Sequence, residues 1–214
     1  LISSSPHKED SKTFFLANEV LKGLGTQDIV SETIHLDDYR ILFCKHCEAC
    51  HKKILNCSLK DDVLPILNKI IEADGIIFAT PNYINHISAS MKALFDRSAH
   101  FIHCKRLMRK YIVGVVTSGS GQDRSVLNYI KFYGFTCGAQ YSGGVNAARH
   151  EIGQRSQEAL ELGRRLLTDI KEKTIYPDQQ ELLNKGKEHF AGIIKMRQLD
   201  WPQEYQYWKE KGWL

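Results

Sequence analysis

Between Ser11 and Leu24 the apolar residues Phe14, Phe15, Ala17, Val20, Leu21 and Leu24 recur at helical spacing, and Gly23 and Gly25 supply a stop, which predicts a helix there. The segment "DIVSETIHL", Asp28 to Leu36, instead has the β-branched content of a strand. From Asp61 to Ala73 the helical period returns through Val63, Leu64, Ile66, Leu67, Ile70 and Ile71, and "GIIFAT" after it is a short apolar run, the mark of a strand covered on both faces. The alternation continues with a helix over about 88–97, the strand "YIVGVVTS" ending at Ser118, a helix over about 122–133, a strand near "AQYSGG" and a long helix over about 153–173. A first strand must end at about Ser3. Strands separated by helices require right-handed crossovers, and hence a parallel sheet with helices on both faces.

A polar helical stretch from about Asp178 to Arg197 and the aromatic end "WPQEYQYWKEKGWL" follow, so the chain divides into a body, residues 1–175, and an extension, residues 176–214. All three tryptophans lie in that end. Aromatic side chains bury much area each, and the expectation is that they pack across a subunit contact, the alternative being that they fold back on their own domain.

Composition narrows the function. With 214 residues, 43% hydrophobic and 25% charged, the chain can bury one sizeable core. A formal charge of +4 is too small and too scattered to imply a nucleic-acid partner. The one dense basic run, "HCKRLMRK" at 103–110, reads as a solvated connection between helix and strand. No window approaches eighteen consecutive apolar residues, which predicts no membrane span, and "LISSSPHKED" lacks the order of a secretory signal. The expected compartment is the cytoplasm, where clustered cysteines serve as metal ligands or redox thiols more often than as disulfides.

Ligands of open parallel sheets sit at the carboxyl ends of the strands, beside a topological switch point. Three loops lie at such ends. "SSSPHKEDSKT" has none of the glycine spacing of a dinucleotide fingerprint or P-loop and suits a monophosphate: Ser5, Ser11 and Thr13 offer hydroxyls, His7 and Lys12 positive charge, and the helix start free amides. The alternative for Ser11 is a simple helix cap. "TPNYINHISASMKALFDR" brings Pro81 and the aromatic surface of Tyr83, where a planar ring could lie. "TSGSGQDR", residues 117–124, lets backbone amides approach a ligand, or is an ordinary turn.

In this order the three loops resemble those of the flavodoxin-like FMN reductases. The resemblance covers most of residues 1–145 and implies a five-stranded sheet of order 2-1-3-4-5 binding FMN. Carried over position by position, it implies that Ser5, His7, Ser11, Lys12 and Thr13 surround the phosphate. Thr80, Pro81, Asn82, Tyr83 and Ile84 then lie along the flavin ring, with Thr117, Ser118, Gly119 and Ser120 on its other side. His7, Lys12 and Thr80 stand where the family usually has arginine, asparagine and serine.

Between the second strand and the next helix, within an insertion at about 38–60, lies "CKHCEACHKKILNC". Cys44, Cys47, Cys50 and Cys57 form C-x2-C-x2-C-x6-C, whose tight part resembles the loop that holds three corners of a [4Fe-4S] cluster. Zinc more often draws on two separated C-x2-C knuckles; zinc and plain thiols remain the alternatives. Lys45, His46, His51, Lys52 and Lys53 would offset a cluster's negative charge. Cys104 and Cys137 read as buried free thiols, and His86, His100, His103 and His150, without metal spacing, as surface or supporting residues.

A compact cysteine motif at this place in an FMN fold is similar to that of the iron-sulfur flavoprotein family. The resemblance implies an oxidoreductase that joins two-electron flavin chemistry to one-electron transfer through the cluster. It also implies ferredoxin or NAD(P)H as electron partner and a homodimer or homotetramer. No catalytic side chain is expected. The rivals are an NAD(P)H-dependent FMN or quinone reductase using FMN alone, and a non-catalytic electron carrier.

Overall fold

In the computed structural model, which describes residues 1–119, 121 and 123–214, the strands are β1 (Ile2–Ser3), β2 (Ile34–His35), β3 (Gly75–Pro81), β4 (Tyr111–Ser118) and β5 (Gln140–Ala148). All pair in parallel, in the flavodoxin-like order β2-β1-β3-β4-β5. The long central strands have no polar face. Along β3, Ile76 and Phe78 enter one core while Ile77 and Ala79 enter the other, the two-residue alternation of a strand covered twice.

On the first face α3 (Val63–Glu72), α4 (Ala89–Asp96), α5 (Ala99–His103) and α6 (Arg124–Cys137) contribute Ile66, Met91, Leu94, Phe101 and Ile130. On the second, α1 (Lys12–Gly23) and α7 (Ser156–Glu172) contribute Leu16, Val20, Leu162 and Leu166. These two helices cross glycine to glycine. A Cβ on Gly23 would strike the Leu160 carbonyl, and one on Gly163 the Val20 carbonyl, so the close approach requires both.

The strand predicted over 28–36 is confined to Ile34 and His35. Ile34 and His35 pair with Ile2 and Ser3 of β1, and Val30 is fully exposed. The basic run at 103–110 is not a solvated connection: Cys104 and Leu107 have no exposed surface and Lys105 is 3% exposed. The cause is non-local. α8 (Pro177–Met196) returns over this segment and places the Phe190 ring 4.5 Å from the Lys105 ammonium. Burial lowers that lysine's pKa to about 8, and its Nζ donates to the Thr136 carbonyl at 3.0 Å.

The aromatic end likewise packs on its own chain, the second of the two expectations. α9 (Pro202–Glu210) builds a third apolar cluster from Trp208, Trp201 and Ile194 of α8. Trp208 is completely buried, and its indole N–H donates to the His103 carbonyl at 3.0 Å. No helix among the described residues is long and apolar enough to cross a membrane.

Candidate cofactor site

The loops after β1, β3 and β4 leave the same edge of the sheet and are tied to one another. After β1, Ser4 and Ser5 are buried, and the Ser4 hydroxyl donates to the Ala79 carbonyl of β3 at 3.2 Å. The Ser5 carbonyl accepts the Lys8 amide at 3.0 Å, closing the turn into α1. Ser11 is the helix cap, its Oγ accepting the Phe14 amide at 2.9 Å. The remaining first-turn amides of α1 have no intrahelical partner and face the loop. Thr13, buried, meets Thr117 of β4 hydroxyl to hydroxyl at 2.6 Å. His7 and Lys12 stand exposed at the rim, while Lys8 is ion-paired with Asp38.

In the second loop Thr80 is turned inward. Its hydroxyl donates to the Pro81 carbonyl and accepts the Ser88 amide, both at 3.0 Å, so it shapes the loop. Pro81 is buried, and the Asn82 amide donates to the Thr117 carbonyl at 2.7 Å. Tyr83 and His86 then pair back to back around Ile84 and Asn85, which have φ of 53° and 57°. This is a two-residue turn of the left-handed kind that favours Asn and Gly, yet its first central residue is a β-branched isoleucine, 97% exposed. The third loop is held by Asp123, fully buried, which accepts from Asn82 Nδ2 at 3.1 Å and from the Ser118 hydroxyl at 2.9 Å. Gly119 is exposed; Ser120 and Gln122 lie outside the described residues.

The cysteine segment leaves the same sheet edge after β2. Its backbone winds irregularly, with His46, Glu48 and Leu55 at φ of 51°, 57° and 56°, around the single helical turn α2 (Ala49–Lys52). The result is a pocket lined by Cys44, Cys47, Cys50 and Cys57, with Arg97 and His100 on its other wall. All four thiols are free. They are chemically unlike: the Ser58 hydroxyl at 3.2 Å, with the Ala49 amide, lowers the Cys47 pKa, whereas burial and the nearby Glu204 carboxylate push Cys50 up to about 12. Arg97 donates from Nη2 to Cys57 Sγ at 3.2 Å. Four sulfurs from one loop in a shared pocket, one already receiving a buried cationic N–H, are a donor set that fits an iron-sulfur cluster. Three strand-end loops joined through Thr13, Thr117 and Asn82, with buried Ser4 and Ser5 at the start of a helix, fit a phosphate-bearing flavin.

Residues 1–153 match the family described as NADPH-dependent FMN reductase. An iron-sulfur flavoprotein of Archaeoglobus fulgidus is 41% identical over 122 residues, 55% of this chain and 57% of the relative, so this alignment spans little more than half the relative's length. A second from the same organism is 27% identical over 219 residues, covering 100% of this chain and 98% of the relative. The chain belongs to the iron-sulfur flavoprotein family, within the flavodoxin-like NADPH-dependent FMN reductase superfamily. Among solved structures, a flavone reductase superposes with a TM-score of 0.64 at 17% identity, covering 79% of this chain and 62% of the other, which shows the shared fold.

In this iron-sulfur flavoprotein the C-terminal extension docks on the cysteine loop, a feature that sequence reasoning did not reach. Glu204, with no exposed surface, accepts from His51 Nδ1 at 2.7 Å and from His103 Nδ1 at 2.9 Å. The two imidazoles stack with centroids 4.4 Å apart, and the Trp201 ring lies 5.0 and 4.7 Å from them. The Trp201 indole donates to Glu48 at 3.2 Å, and Gln203 accepts the Ile54 amide at 2.9 Å. His51 is therefore a buried latch residue and not a surface counter-charge, while Lys45, His46, Lys52 and Lys53 are exposed. His103 belongs to the same latch; His86 and His150 are exposed as expected. The three side chains could also be read as ligands of one cation. Their N···O separations are hydrogen-bond lengths, shorter than the roughly 3.3 Å edge of a tetrahedral zinc site with bonds near 2.0 Å, and the carboxylate already satisfies both imidazoles.

Proposed function

We propose that the protein is an FMN-dependent oxidoreductase whose four-cysteine loop holds a [4Fe-4S] cluster. When bound, FMN handles electrons singly or in pairs and the cluster handles them singly, so their proximity joins the two kinds of chemistry. The observation that carries this reading is the convergence of Cys44, Cys47, Cys50 and Cys57 on one pocket at the sheet edge where the flavin loops also end. Ser5, Thr13 and the first-turn amides of α1 bind the phosphate, with His7 and Lys12 adding charge and Ser11 holding the helix start. Tyr83 and Ile84 flank the ring, and Thr117, Ser118 and Gly119 line its other side, with Thr80, Pro81 and Asn82 shaping that wall. Cys44, Cys47 and the neighbouring Phe43, 78% exposed, form the face through which a one-electron partner such as a ferredoxin is served, whereas NAD(P)H would exchange its electron pair with the flavin. Exposed Phe43, Tyr83 and Ile84 also suit association into a homodimer or homotetramer.

Anaerobic purification followed by quantification of FMN, iron, acid-labile sulfide and zinc tests this. One FMN with four irons and four sulfides per chain is expected; FMN with neither iron nor sulfide overturns the cluster and leaves a plain flavin reductase. Turnover with NAD(P)H and an external acceptor separates an enzyme from a carrier.

Two smaller effects follow from the flavin loops. Ser5→Ala removes one hydroxyl donor to a phosphate, a bond of about 1.5–3 kcal/mol, so FMN affinity should fall roughly 10- to 150-fold, read by quenching of flavin fluorescence. Unchanged affinity would remove Ser5 from the phosphate site. Ile84→Asn replaces a β-branched residue in the left-handed region, where strain costs about 1–2 kcal/mol, with one that tolerates it. The urea midpoint of the flavin-free protein should rise by the equivalent of about 1 kcal/mol, and no rise would mean that the turn is not strained.

A further inference from the structure

We propose that Arg97 and His100, from the α4–α5 segment, form the donor wall of the cysteine pocket, each aiming an N–H at sulfur of the bound cluster and thereby raising its reduction potential. The proposal rests on the cluster reading above and assigns two residues outside the thiolate set.

Arg97 has a side chain only 1% exposed and a head group with little freedom. Nη1 donates to the Leu42 carbonyl at 2.7 Å and to Asp61 at 2.6 Å, and Nη2 donates to Asp61 at 3.0 Å and to Cys57 Sγ at 3.2 Å. Asp61, wholly buried in its side chain, is fixed in turn by the Leu42 amide at 2.9 Å. Burial alone would push the Asp61 carboxyl up, but the Arg97 fork and the surrounding amides outweigh it and hold it below the usual carboxylate range. The pair is therefore charge-neutral, and what Cys57 receives is an oriented N–H rather than a mobile unit charge. A planar guanidinium can grip a carboxylate with one edge and still present Nη2 to sulfur, which a lysine ammonium cannot do with the same fixed geometry.

His100 carries the second observation. It is 1% exposed, lines the same pocket, and neither ring nitrogen has a hydrogen-bond partner among the described residues. A buried polar group without a partner is costly and calls for an explanation. Burial first, then Arg106, His51 and His103, lowers its pKa to about 3, so the ring is neutral and offers one N–H. Cluster sulfur supplies the acceptor that the described residues lack. Hydrogen bonds to sulfur stabilise the more negative, reduced form and raise the potential. The exposed Lys45, Lys52 and Lys53 act through solvent and are screened, so the buried donors matter more.

The test uses anaerobically purified holoprotein with iron and sulfide assayed first. In protein whose arginine or histidine side chains carry 15N, pulsed EPR of the reduced cluster should show a 15N coupling from each label that is lost in the Arg97 or His100 variant, a signature that a merely structural residue does not give. Spectroelectrochemistry is then run on Arg97→Met/Asp61→Asn, which removes the N–H donor at position 97 while keeping the site neutral, and on His100→Phe. Each should shift the reduced-to-oxidised ratio at fixed potential by about tenfold toward oxidised, about 59 mV more negative for one electron. Absence of iron and sulfide from the wild type overturns the cluster reading and this proposal with it. A stoichiometric cluster without 15N coupling, or with unchanged potentials in the folded variants, overturns this proposal alone. If the double variant does not fold, the wild-type couplings and His100→Phe decide.

Discussion

Iron and sulfide are expected to disappear from protein in which Cys44, Cys47 or Cys50 is replaced by alanine, while FMN stays bound in stoichiometric amount. The three residues lie on one irregular turn, where backbone geometry points them into a common pocket, and no spare thiol stands there to replace a lost one. Cys104 and Cys137 are completely buried elsewhere and neither lines the cysteine pocket, so neither stands where a ligand is needed. The flavin loops are built from other segments and should survive. Cys57 differs, being separated from Cys50 by six intervening residues and held by Arg97; its removal can leave a three-iron form. The check is iron, sulfide and FMN per chain after anaerobic gel filtration. Full iron content in Cys47→Ala, or loss of iron in Cys104→Ala, would mean that the ligand set is wrong.

The body of the fold was legible because its strands are buried on both faces. β3 and β4 are uninterrupted apolar runs bounded by loop residues, and their predicted limits agree with the observed ones within a residue. Helix limits were also close where a cap is local, as at Ser11 and Ser88. The failures were non-local. Nothing within "DIVSETIHL" tells that its partner strand pairs with it over only two residues. Nothing within "HCKRLMRK" shows that a helix from residues 177–196 comes back to cover it.

The candidate site divides the same way. Four cysteines in fourteen residues announce themselves, as does the order of three strand-end loops. Arg97 and Asp61 are 36 positions apart and look like any surface charges; only the folded chain buries them against Cys57. Asp123 sat within the third loop without a signal that Asn82 and Ser118 would both donate to it. Glu204 was the least visible, since its partners lie 153 and 101 residues away. The tryptophans clustered around it were the one signal, because so much aromatic surface in a short end must be buried somewhere.

Replacing Glu204 with alanine should loosen the extension from the cysteine loop at a cost of roughly 3–5 kcal/mol, the usual penalty for removing one partner of a buried, hydrogen-bonded charged group. Without Glu204 the Nδ1 of buried His51 is left unsatisfied, at a cost of about 1–3 kcal/mol, while that of His103, 18% exposed, can turn to water. The aromatic packing opposes release: burying Trp208 contributes on the order of 4–6 kcal/mol at about 25 cal/mol per Å², before the entropy of ordering α9. The two magnitudes are comparable, so α9 should open far more often while the sheet and its flavin loops stay folded. Trp201, Trp208 and Trp213 are the only tryptophans, so intrinsic emission reports on this extension alone. A red-shifted emission and faster hydrogen exchange over 201–214, with an unchanged far-UV signature of the α/β body, are the expected results. Glu204→Gln, which keeps one acceptor, should fall between. Because the latch holds His51 beside Cys50, the alanine variant should also lose iron faster in air than wild type. Wild-type emission, exchange and iron retention in Glu204→Ala would show that Trp208 and its neighbours hold the extension without the carboxylate.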